Sequence, residues 1–126
     1  MGKENCMLNT QARPWGHYKI LYEDDRCKVK EILVHAKGRL SLQSHHHRKE
    51  SWTFTRGTGR VELDGEEFIV SPGTNITIDK QQKHRVENVA HGDLVFIEVQ
   101  TGDYFGEDDI IRYEDDYGRT QKGEIK

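Results

Sequence analysis

Between Tyr18 and Val99 the chain consists of short runs that alternate in hydrophobicity and stop at glycine-containing turns. Side chains on a β-strand point to opposite faces with a period of two. In Glu50-Ser-Trp-Thr-Phe-Thr-Arg56 this places Glu50, Trp52 and Phe54 on one face; in Arg39-Leu-Ser-Leu-Gln-Ser-His45 it aligns Gln43 with His45. Tyr18–Tyr22, Cys27–Val34, Asn75–Ile78, His84–Val89 and Leu94–Val99 read as further strands. Asp64-Gly65 joins two more, because both residues tolerate the positive φ of a tight hairpin. No part of this span carries a helical period with caps. About nine short strands at regular spacing predict an antiparallel sandwich or barrel, an all-β fold.

At 126 residues the chain has room for one core. Nineteen basic and 22 acidic residues give a net charge of −3, a mixed surface without the basic stripe that nucleic acid draws. No apolar run approaches a membrane span, and the first residues lack a signal-peptide hydrophobic region, so a cytoplasmic location is expected. Cys6 and Cys27 show no metal-type spacing; reduced thiols fit that location, and a disulfide between them stays an open alternative. Hydrophobic residues make up only 33% of the chain, lean for a domain of this size even with glycine counted. A subunit partner, as in a homodimer, would supply what a thin core lacks.

The chemistry concentrates in Gln43-Ser-His45-His46-His47-Arg48-Lys49-Glu50, with His84 on a later strand. Two imidazoles, a carboxylate and a carboxamide oxygen form a borderline donor set suited to a divalent first-row metal. Histidine runs also arise as tags or adventitious binders, but this one lies inside an alternating strand pattern rather than at a terminus.

With Gly38, Gln43, His45, Glu50 and Gly57 in order, then Gly73, His84 and Asn88, the chain resembles the cupin superfamily. Gln43 stands where the first motif usually has histidine, and Asp79 and Gln81 replace the proline and glycine usual before His84. A narrower resemblance rests on Arg13-Pro-Trp-Gly16, Leu40–His45, Arg48–Trp52, Ile97-Glu-Val-Gln100, Gly106–Arg112 and Tyr113–Arg119. These look like the type II mannose-6-phosphate isomerase domain, familiar as the C-terminal half of bifunctional enzymes whose other half is a guanylyltransferase. The resemblance implies a cupin-type antiparallel jelly-roll barrel over residues 13–119; Ile110, Ile111, Tyr113 and Tyr117 in the acidic C-terminal stretch argue for a segment that packs back on it rather than a solvated tail. A flexible segment is expected at 1–12 and a frayed tail at 120–126. The nucleotide-binding half is missing, so a separate guanylyltransferase is the partner such a domain would work beside.

The implied reaction converts mannose 6-phosphate to fructose 6-phosphate by moving a proton between C2 and C1. The resemblance favours zinc on Gln43, His45, Glu50 and His84; the donors alone would also take manganese, iron, cobalt or nickel. Glu98, a carboxylate in an apolar strand, is the expected general base if it faces inward. Strand parity equally allows it to face solvent while Val95, Ile97 and Val99 face the core. His47 shares parity with Gln43 and His45 and is a second proton carrier, or a surface histidine. Arg13, Arg48, Arg112 and Arg119 are the expected phosphate donors, since guanidinium binds phosphate in two-pronged fashion. Surface ion pairs are the alternative for each. Arg119 would close with the tail as a lid over the barrel mouth. A non-catalytic cupin that binds a sugar or nucleotide sugar competes with this reading, as does an isomerase for another sugar phosphate.

Overall fold

The structure, a computed structural model, describes residues 10–118. It contains eleven strands: β1 Thr10–Arg13, β2 Gly16–Glu23, β3 Cys27–Val34, β4 Leu42–His45, β5 Arg48–Arg56, β6 Gly59–Leu63, β7 Glu66–Val70, β8 Asn75–Ile78, β9 His84–Asn88, β10 Leu94–Gly102 and β11 Ile110–Glu114. A single 3-10 turn, Glu107–Asp109, precedes β11. A six-stranded sheet of order β1-β2-β3-β10-β5-β8 faces a five-stranded sheet of order β11-β4-β9-β6-β7. Every pairing is antiparallel. This is the all-β antiparallel architecture the strand pattern predicts, and it agrees with the cupin-type jelly roll the resemblance implies.

The Asp64-Gly65 hairpin forms as read: the two residues have φ of 49° and 89°, and Leu63 pairs with Glu66. Gly57, in the first cupin motif, has φ of 87° and lies against β10's approach. A Cβ there would come within 2.4 Å of the Asp93 carbonyl oxygen, so no other residue fits without moving backbone.

Two boundaries differ from expectation. The N-terminal strand begins at Thr10, inside the segment expected to be flexible, because Arg13-Pro-Trp-Gly16 is a hairpin turn that pairs β1 with β2. Residues 39–41 leave the strand, keeping only an isolated bridge from Arg39 to Glu87. The C-terminal segment joins a sheet. Residues 110–114 add to β4 as an edge strand, Ile110 opposite His45 and Arg112 opposite Gln43. Its isoleucines made the segment look packed rather than solvated; hydrogen bonding to a free strand edge is what satisfies its backbone. Residues 1–9 and 119–126 lie outside the described residues.

The apolar core sits between the sheets and includes Ile32, Val34, Trp52, Phe54, Val61, Val86, Leu94 and Phe96. Phe96 stacks between Trp52 and Phe54 with ring centroids at 4.8 and 4.9 Å. Such offset aromatic pairs add to the burial term itself.

Candidate metal centre and active site

Strand β10 runs between β3 and β5, so each inward residue of β10 has a neighbour on both sides. Phe96 lies opposite Ile32 and Phe54, an apolar row. Two residues on, Glu98 lies opposite Lys30 and Trp52, and two further on Gln100 lies opposite Glu50. The interior turns from hydrocarbon to polar within one period of the pleat. From the facing sheet, Gln43 and His84 come in register.

His45, Glu50 and His84 are each only 2% exposed, and one candidate ligand atom from each lies within 4.8 Å of the others. His45 Nδ1 is 3.5 Å from Glu50 Oε2 and His84 Nε2 is 4.0 Å from Glu50 Oε1. His84 Nδ1 sits 2.9 Å from the Gln82 carbonyl. A carbonyl only accepts, so Nδ1 carries the proton and Nε2 keeps its lone pair toward Glu50. Burial lowers the His84 pKa to about 4. His45 is pushed lower still, by burial first and then by the charge of Arg48. Both rings are therefore neutral, the form that binds a metal. Gln43 Nε2 donates to Ser41 Oγ at 2.7 Å, which leaves its carbonyl oxygen as the atom to offer a cation.

Two neutral imidazoles, one carboxylate and one carboxamide fit a divalent ion. A resident cation already touches two of the donors. Arg48, 3% exposed, donates from Nε to Glu50 Oε2 and from Nη2 to His45 Nε2, both at 2.9 Å. Burial works against its charge, and the Glu50 and Glu98 carboxylates more than restore it, so its pKa is raised. Accepting from Arg48 at Nε2 leaves the proton of the neutral His45 ring on Nδ1, so ion binding at His45 requires that Arg48 release Nε2. The third nitrogen, Nη1, is buried without a partner among the described residues.

Glu98 faces inward and is 5% exposed. Trp52 Nε1 donates to Glu98 Oε2 at 3.2 Å and to Glu50 Oε1 at 2.9 Å; Gln100 Nε2 donates to Glu98 Oε1 at 2.9 Å. Burial, followed by the nearby Glu50 charge, raises its pKa to about 7. A carboxylate so held is fixed in direction and poised to exchange a proton.

These groups line two contiguous cavities. The outer one, about 480 Å³ including its open mouth, is walled by Arg13, Trp15, Tyr18, Lys30, Gln43, Arg48, Glu98, Glu107 and Arg112, among others. The inner one, about 260 Å³, reaches Glu50, Trp52, His84 and Phe96. The structure thus brings Gln43, His45, Glu50, His84, Glu98, Arg13, Arg48 and Arg112 together. It does not bring His47: β4 ends at His45, the strand parity stops there, and the ring is exposed beside Asp103 and Tyr104. Its backbone N–H and that of His46 instead donate to buried Asp109, at 3.0 and 3.1 Å. Arg119 lies outside the described residues.

Sequence reasoning passed over Lys30 and the aromatic pair Trp15 and Tyr18. A signal existed for Lys30: period two puts it on the same face as Ile32 and Val34, and all three are buried. Trp52, which strand parity puts on the face of Glu50 and Phe54, has a role that parity does not show: its indole N–H is the shared donor to both carboxylates.

Comparison with known proteins follows the same lines. Residues 2–115 match the family model described as Mannose-6-phosphate isomerase C-terminal. Alginate biosynthesis protein AlgA of Pseudomonas aeruginosa is 45% identical over 108 residues, which are 86% of this chain and 22% of that protein. A mannose-1-phosphate guanylyltransferase of Klebsiella pneumoniae is 40% identical over 107 residues, 85% of this chain and 23% of that protein. The chain thus spans under a quarter of the length of these relatives. A Klebsiella pneumoniae protein with a double-stranded beta-helix domain superposes with a TM-score of 0.72 at 16% identity, covering 82% of this chain and 89% of that one. At that identity the likeness concerns the fold alone.

Proposed function

The chain belongs to the mannose-6-phosphate isomerase C-terminal family, and from that premise we propose that it interconverts mannose 6-phosphate and fructose 6-phosphate. The observation that carries this reading is the inner cavity, where the Glu98 carboxylate meets Glu50 and His84, with His45 grouped with those two as a possible metal ligand. Aldose–ketose isomerisation needs a base that removes the C2 proton and returns it to C1, while a hydroxyl proton passes from O2 to O1. Glu98 is that base: its two oxygens are held by Trp52 and Gln100, so it gives and takes the proton without turning.

His45, Glu50, His84 and Gln43 would hold a divalent ion, with zinc the first choice. Such an ion, when bound, supplies Lewis acidity to the neighbouring sugar oxygens. Arg48 Nη1 is the buried donor left to receive a substrate oxygen, and the apolar floor at Ile32 and Phe96 keeps bulk water from the exchanging proton. Arg13 and Arg112 stand at the outer cavity wall, where they meet the charged end of the sugar. The family relationship supports a place beside a guanylyltransferase, and among the described residues no helix is long and apolar enough to cross a membrane.

The test is a coupled assay for fructose 6-phosphate on protein of measured metal content. Turnover should vanish with chelator and return on adding zinc or another divalent ion. Metal-loaded protein that turns over no hexose 6-phosphate would leave a sugar-binding cupin in place of an isomerase.

A further inference from the structure

The least expected group in the cavity is Lys30. Its side chain is 6% exposed, yet it points from the core face of β3 into the wall of the outer cavity. A buried ammonium needs compensation, and the compensation here is loose. Its Nζ is 3.4 Å from Glu107 Oε2, longer than the roughly 2.7–2.9 Å of a good charge-assisted hydrogen bond, and 4.0 Å from the Tyr18 ring centroid. Arg13 converges on the same ring, its Cζ 5.0 Å from the centroid and its Nη2 3.1 Å from the phenolic oxygen. Glu107 is 45% exposed and stands on the single 3-10 turn before β11.

We propose that Lys30 and Arg13, gathered over Tyr18, form the subsite for the substrate's phosphate, and that Glu107 is the counter-ion which the phosphate displaces from Lys30. This rests on the sugar-phosphate reading and deepens it. A dianionic phosphate carries more charge than a carboxylate and three acceptor oxygens, enough to engage both cations, whereas Glu107 makes its ion pair with Lys30. Glu107 loses little on release because it is already half in water. The subsite sits in the same wall as Glu98, in register with Lys30 across the sheet, so an anchored phosphate places the rest of the sugar against the base. Field lines from buried cations are focused by the low-dielectric wall.

The experiment is calorimetric titration of full-length, metal-loaded protein with inorganic phosphate, mannose 6-phosphate and mannose. Lys30→Met keeps an apolar chain over Tyr18 and should fold; a thermal melt checks this, and Lys30→Arg keeps the charge as a second variant. Lys30→Met should weaken both phosphates by roughly tenfold to a hundredfold and leave mannose unchanged, with Lys30→Arg recovering most of the loss. Glu107→Gln should tighten inorganic phosphate by about threefold to tenfold, since its competitor is gone. Unchanged phosphate affinity in Lys30→Met, weaker affinity in Glu107→Gln, or no phosphate binding by the parent protein would overturn the subsite. Lys30-dependent phosphate binding without turnover of any hexose phosphate keeps the subsite and removes the isomerase. Turnover whose KM ignores Lys30→Met does the reverse.

Discussion

Phe54, Val86 and Phe96 are sealed from water in the jelly roll, at 1%, 0% and 0% exposure; along the same strands Glu50, His84 and Glu98 are almost as buried, at 2%, 2% and 5%. Two to four residues separate the members of each pair. The two regions share backbone, register and depth, and differ in what burial does. For the apolar row, removal from water is the driving force, about 25 cal/mol per Å² of apolar surface. For the polar row, the same removal opposes the charged form. It lowers both histidines and raises Glu98. The apolar end stabilises strands that then hold groups no independent peptide would keep together. Burial that would be a liability elsewhere becomes tuning when a rigid hydrocarbon layer fixes it.

The sharpest break of this comparison is His84→Ala. It removes one donor of the proposed set, and tight metal binding should fall from about one ion per chain to none, because affinity needs the full set of ligands. Elemental analysis after dialysis reads it directly, and a variant that keeps its ion would place the centre elsewhere.

Next comes Glu98→Gln. With the proposed base gone, kcat should drop roughly 10²–10⁴-fold. The fold should tolerate it, since buried Gln100 Oε1 has no partner among the described residues and a flipped amide can accept from the new Gln. The sign of the pH effect distinguishes charge from packing. The folded pKa of Glu98 is raised from 4.5 to about 7, so its contribution to stability is fully present below 4.5 and lost as pH rises through 7. In metal-free protein Glu98→Gln should therefore melt higher than the parent at pH 8, with the gap closing toward pH 5. A gap that ignores pH would mean Glu98 is not buried as a titrating acid.

Phe96→Ala attacks the other end. Deleting a fully buried ring should cost about 3–5 kcal/mol, measured by denaturant unfolding. The fraction that remains folded should still bind metal, if the apolar row supports the polar row without shaping it. The smallest effect belongs to Gln81. It occupies the left-handed region at φ of 70°, where the cupin pattern has glycine, and its N–H donates to the His45 carbonyl at 2.6 Å. Gln81→Gly relieves about 1–2 kcal/mol of strain against roughly 0.5–1 kcal/mol of added chain entropy. A net gain of about 0.5–1 kcal/mol in the melt is expected, with metal content unchanged.

Much of this was legible in the chain as written. Alternation and turn residues specified an all-β fold, because a period of two is a local property of the extended backbone. The same rule put Glu50, Trp52 and Phe54 on one face, and Asp64-Gly65 marked a hairpin whose φ values are the residues' own. What local rules could not reach was anything decided by a second strand. Both parities of β10 are apolar, Leu94 and Phe96 on one side and Val95, Ile97 and Val99 on the other, so the face of Glu98 was undetermined until β3 and β5 closed on it. His47 left the cavity because β4 ends two residues earlier, where Asp109 from the far end of the chain captures the backbone. Residue types and their spacing are written in one dimension. Which face is inside, how far a pKa moves and which cation meets which carboxylate depend on neighbours brought in from distant sequence, and only the packed sheets supply those.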